Sequence, residues 1–121
     1  MTDPERTAPA HQGQLQAEIT SLVVRLFAEY TGRGPTQGRT IIRDDLIVCL
    51  TQDSMTRAEQ RLVAEGETEL VESVRRKFQR TMRDDLVGGV EMLTGRTVKT
   101  FLSDQDPVTD HAVEVFILEP R

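Results

Sequence analysis

The residues best suited to chemistry are glycines and arginines. Gly32-Arg33-Gly34-Pro35 is the most distinctive string in the chain. Successive backbone N–H groups beside glycines can form an anion-binding nest, and Arg33 adds a positive charge. Arg39 or Arg75 could complete such a site once the chain folds. The spacing matches neither a Walker loop nor a dinucleotide fingerprint. Its plain reading is a helix stop followed by a turn, so two readings stand.

A second basic group is Arg75, Arg76, Lys77, Arg80 and Arg83. Arg76, Arg80 and Arg83 share one helical face. Such a stripe suits phosphates, anionic lipid or an acidic partner. Glu72 lies four residues before Arg76, and Asp84 four after Arg80. Intrahelical pairs are therefore expected to dilute the stripe into a solvated face. No aromatics interleave it, as stacking on single-stranded nucleic acid requires.

The acidic groups offer less. Asp44-Asp45 and Asp84-Asp85 are adjacent pairs, and neighbours on a strand or helix point apart. They read as a hairpin turn and a helix surface. Asp104, Asp106 and Asp110 lack the glycine and terminal glutamate of a calcium loop, since Thr109 and Val115 stand there. They read as a polar hairpin loop. Cys49 is the single cysteine. It lies in an apolar run and reads as a buried small hydrophobe. His111 could reach it only through the fold, and His11 lies in the expected tail. No catalytic residue, metal site or cofactor is expected.

These residues need elements to position them. Leu15, Ile19, Leu22, Val23, Leu26 and Tyr30 recur at helical spacing, which predicts an amphipathic helix over 14–30. Residues 1–13 hold Pro4, Pro9 and Gly13 and read as a disordered tail. Two β-branched runs at 40–43 and 46–50 predict a hairpin turning at the Asp pair. Ser54 or Thr56 can cap a short helix over 55–64, broken at Gly66, and Thr56 stands three residues before Glu59, a capping-box spacing. Ala58, Leu62 and Val63 are expected to face inward there. Leu70, Val74, Phe78, Met82, Leu86, Val90 and Leu93 predict the seam of a long helix over 67–94. Gly88-Gly89 within it predicts close packing or a kink. A second hairpin follows, with strands at 98–103 and 112–118. The order is α-β-β-α-α-β-β. It predicts an α+β domain over 14–121, with helices on an antiparallel four-stranded sheet.

Composition bounds the function. The 121 residues carry 15 Lys and Arg against 20 Asp and Glu, a net charge of −5, which argues against a nucleic-acid partner. No apolar run approaches the ~20 residues that span a bilayer. A cytoplasmic protein is expected, peripheral to a membrane only through a partner.

Taken together, these strings resemble the MpsC family, small bacterial proteins named after a membrane-potential-generating system. The resemblance covers 14 to about 119. It rests on Gln14-Leu15 with Glu18-Ile19, and on Tyr30 with Gly32-Arg33-Gly34-Pro35. It continues through Leu50-Thr51, Thr56 with Ala58-Glu59, Gly66, Val74-Arg75, Thr94-Gly95 with Val98, Asp104, and Val115-Phe116 with Leu118. The glycine–arginine–glycine–proline string after a Tyr-ended helix is its most specific piece. Gly88-Gly89 and the polar stretch before Gln14 depart from the pattern. The resemblance implies association with sodium-dependent membrane potential and inorganic-carbon uptake systems. It carries over no catalytic or binding residue.

Two functional expectations follow. One is a non-enzymatic accessory or regulatory protein for such a membrane transport complex. The alternative is an oligomeric anion- or ligand-binding module using Gly32, Arg33 and Gly34 with Arg39 or Arg75. A homodimer is expected in either case, through the long-helix face or a sheet edge.

Overall fold

The apolar spacing of the first segment builds α1 (Pro4–Thr31) in the computed structural model, which describes residues 4–121. Ile19, Leu22, Val23, Leu26 and Phe27 are its buried stripe. The helix begins at Pro4, not at Gln14 as expected. Proline suits a first helical turn, and 4–13 carries no large apolar residue from which periodicity could be read. Residues 1–3 of the expected tail lie outside the described residues. Gly32 ends the helix at φ 85°, and its N–H donates to the Ala28 carbonyl at 2.9 Å.

β1 (Gln37–Arg43) and β2 (Leu46–Gln52) form the first hairpin. Asp44 takes φ 54° in the turn, a conformation aspartate tolerates. α2 (Arg57–Ala64) opens on the expected capping box between Thr56 and Glu59. It rests mainly on the next helix, and none of its residues is buried. Ala58, expected inward, is exposed, while Leu62 and Val63 are half-buried. Gly66, at φ 85°, separates α2 from α3 (Thr68–Thr94).

β3 (Val98–Asp106) and β4 (His111–Leu118) close the chain. β4 pairs with β2 as well as β3, so the sheet order is β1-β2-β4-β3, antiparallel throughout. The α+β architecture is the one expected. α1 and α3 pack together over one face of the sheet. The core beneath them joins Ile19, Val23 and Phe27 to Met82, Leu86 and Val90, and to Ile47 and Phe116 from the sheet. Phe101 and Phe116 pack ring to ring in a tilted arrangement, centroids 5.1 Å apart. Cys49 is fully buried there, and burial pushes its thiol up to about 11.

The two glycines of α3 have different causes. A Cβ on Gly89 would come within 2.6 Å of Leu22 Cδ2, so α1 and α3 meet there. A Cβ on Gly88 would meet nothing within 4 Å. Gly88→Ala is therefore expected to stabilise by about 0.5–1 kcal/mol through helix propensity. Gly89→Ala gains the same propensity but must displace the Leu22 methyl groups, so it is expected to be less stable than Gly88→Ala by about 1–3 kcal/mol. Urea denaturation of the two variants checks this difference between neighbours.

Candidate functional site

The loop between β2 and α2 draws in side chains from three directions. Asp53 leaves the strand at φ 63°. The Asp110 carboxylate, from the β3–β4 turn, accepts the Ser54 N–H at 3.0 Å and the Met55 N–H at 3.2 Å. Arg33 donates to Asp53 Oδ1 at 2.8 Å and to the Met55 carbonyl at 2.6 Å. Arg75 donates to Ser54 Oγ at 2.6 Å and to both Glu59 oxygens at 3.2 and 3.3 Å. Arg33, with help from Thr36, also holds the Asp53 carboxyl below its ordinary range.

These contacts decide where the residues singled out in the sequence fall. Arg33 and Arg75 do converge, but on the 53–56 loop, and each guanidinium is already engaged. Gly32 supplies the helix stop. Gly34 admits the α1 backbone, since a Cβ there would lie 3.0 Å from the Val24 carbonyl. Arg39 stands apart, exposed on β1, on the sheet face turned away from the helices. The Gly32–Arg33–Gly34 turn thus works as a brace between α1 and the 53–56 loop. His111 lies on that outer face too, while Cys49 faces the core, so the fold does not bring them together.

Arg75 also explains a departure in α3. Its expected seam began with Leu70 and Val74, yet these are 48% and 37% exposed. Val71, Arg75 and Gln79 take the inward positions, followed by Met82, Leu86 and Val90 as expected. Arg75 is only 5% exposed, because Glu59 and Ser54 satisfy its charge and the Phe27 ring lies 5.9 Å from it. A buried arginine, paired with Glu59 and Ser54, sets the rotation of this half of the helix.

Below it lies a polar chamber that the sequence reading missed. Glu114 on β4 is fully buried, and neither oxygen has a hydrogen-bond partner. Burial pushes its carboxyl up to about 8, against the pull of nearby Ser103 and Arg75. Ser103 faces Glu114 across the β3–β4 ladder, and its Oγ is also buried without a partner. So is Gln105 Oε1. The available signal was the strand 111–118, where Glu114 shares a face with Ala112, Phe116 and Leu118.

A cleft of about 240 Å³ lies between α3 and β3, lined by Ser103, Gln79 and Phe101. Arg76, Arg80 and Arg83 form its rim. The expected pairs of Arg76 with Glu72 and Arg80 with Asp84 do not form. Among the described residues none of the three rim arginines is in a salt bridge. Three guanidinium groups at the cleft mouth can receive carboxylate or oxyanion groups through charge-assisted hydrogen bonds. A larger groove, about 760 Å³, runs between α1 and α3 past Leu22, Gly89 and Met92. None of the unpartnered buried polar atoms lies along it. Among the described residues no group of three or more His, Cys, Asp or Glu could hold a metal ion.

A family model described as the Na+-translocating membrane potential-generating system (MpsC) matches residues 11–120. No curated protein and no solved structure matches the chain.

Arg75→Ala strands the Glu59 carboxylate and is expected to cost about 3–5 kcal/mol. Arg75→Met combined with Glu59→Gln is expected to recover part of that loss, since glutamine keeps the capping box. Chemical denaturation followed by circular dichroism checks both. Glu114 stays protonated in the fold up to about pH 8, against an ordinary 4.5. Between those values the fold holds a proton that the unfolded chain releases, so stability falls as pH rises. Glu114→Gln abolishes this dependence. The variant is expected to match the parent near pH 4.5 and to exceed it by up to a few kcal/mol above pH 8, at about 1.4 kcal/mol per unit. Melting profiles across that range check it.

Proposed function

The chain belongs to the MpsC family, and on that premise we propose that it is a non-enzymatic accessory or regulatory subunit of a membrane-potential or inorganic-carbon transport system. It acts as a homodimer on the cytoplasmic side, held at the membrane through a partner. Among the described residues no helix is long and apolar enough to cross a membrane.

The observation that carries this reading is the arginine-rimmed cleft on α3. Arg76, Arg80 and Arg83 point three charges outward without an internal salt bridge, on a chain whose net charge is −5. Charge of opposite sign to the rest of the surface, concentrated at one cleft, suits an acidic segment of a membrane-embedded partner.

Affinity purification of the tagged protein tests this, from detergent-solubilised membranes and from the soluble fraction, with mass spectrometry. The expected result is a polytopic membrane protein recovered with the parent chain. Recovery should drop at least about ten-fold with Arg76→Glu, Arg80→Glu and Arg83→Glu combined, a loss of about 1.4 kcal/mol or more. Circular dichroism confirms that the triple variant folds. Arg33→Ala is the wrong probe, since it removes a structural brace. Recovery of the chain alone from both fractions overturns the proposal. A rise in melting temperature with phosphate or bicarbonate, lost in the triple variant, would assign the cleft to a small anion instead.

A further inference from the structure

The helices cover one face of the sheet, and the other face is apolar. The ladder registers align Ile41 on β1 with Val48 on β2, Val115 on β4 and Leu102 on β3. These four side chains make one row across the outer face. Ile41 and Leu102, at its two ends, are 52% and 55% exposed. The next row runs Arg39, Leu50, Val113, Asp104. An apolar band crossing a whole sheet is more than the scattered apolar exposure of an ordinary surface, and it marks an interaction site.

The ends of that second row say what covers the face. Arg39 stands on one edge strand and Asp104 on the other, with opposite charges. Three strand spacings of ~4.8 Å separate them, too far to pair within one chain. Neither is in a salt bridge among the described residues. A two-fold axis between β2 and β4, parallel to the strands, lays β1 over the partner's β3. Arg39 of each copy then meets Asp104 of the other, twice, and the apolar rows lie on one another. The perpendicular axis would instead set Arg39 against Arg43.

We propose that a second copy of this chain covers the outer sheet face, stacked about the strand-parallel axis. This makes a four-layer dimer, with helices outside and two sheets at the centre, packed as aligned sheets pack. It rests on the homodimer reading above and replaces the helix face or sheet edge with a named surface. The contact is isologous, and Ile41 sits over Leu102 in both halves.

Sedimentation equilibrium with charge reversal tests it. The parent is expected to sediment at twice its 13.6 kDa. Arg39→Glu alone and Asp104→Arg alone should each weaken the dimer at least about ten-fold, and the double variant should restore most of that loss. Both positions are exposed, so folding is kept. Leu102→Lys should give a monomer with unchanged circular dichroism. A parent that is monomeric at every concentration overturns the homodimer itself. A dimer untouched by Leu102→Lys and by both reversals overturns only this face. Weakening by each single reversal without rescue in the double variant overturns the axis.

Discussion

Everything around the 53–56 loop depends on keeping one guanidinium out of water. Arg75 is buried on α3, with Nη1 donating to the Glu59 carboxylate and Nη2 to Ser54 Oγ. Desolvating such a group is costly, and only complete pairing makes it tolerable. That requirement fixes several things at once. It holds α2 against α3, since Glu59 belongs to α2. It positions the loop that Arg33 and Asp110 grip from the other sides. It also turns the first half of α3, so that Arg76 and Arg80 face the cleft while Leu70 and Val74 face solvent. The basic rim is thus a geometric by-product of a buried arginine next to it in sequence.

The sheet is the other organising constraint. One face carries the core, and beside that core a pocket of polar groups without partners. Glu114 is held there in its neutral form, which spares the interior a second buried charge. The cleft above it has a positive mouth and an uncharged floor. That arrangement favours a negatively charged guest without stranding a carboxylate against it. The contrast with the outer face is sharp. There the side chains are apolar and the only charges near the band stand at its edges.

Much of the fold was legible because it rests on local rules. The two hairpins, the capping box at Thr56 and Glu59, the glycine stop at Gly32 and the close approach at Gly89 all follow from spacing or backbone chemistry within a few residues. Periodicity failed where tertiary pairing outranked it. Leu70 and Val74 have the right spacing for a seam, yet Arg75 displaces them because its partners lie on other elements. Ala58 failed in the same way, since α2 has too little cover to bury anything. The candidate site was less legible. Arg33 and Arg75 meet on a loop of their own chain, a convergence that sequence spacing does not show. Glu114 was missed because both faces of its strand read as apolar. The stripe of Arg76, Arg80 and Arg83 is visible in the sequence, and the intrahelical pairs that would dilute it do not form.

The burial of Cys49 has a further consequence. The thiolate is the species that reacts with alkylating agents, and here the thiol is both enclosed and shifted to about 11. Labelling must wait until α1 and the sheet separate. With one cysteine in the chain, the label has a single destination. Its rate is then a clock for opening of the core, read without any engineered reporter. Modification of the purified protein would register how often an inner strand of the sheet is laid bare.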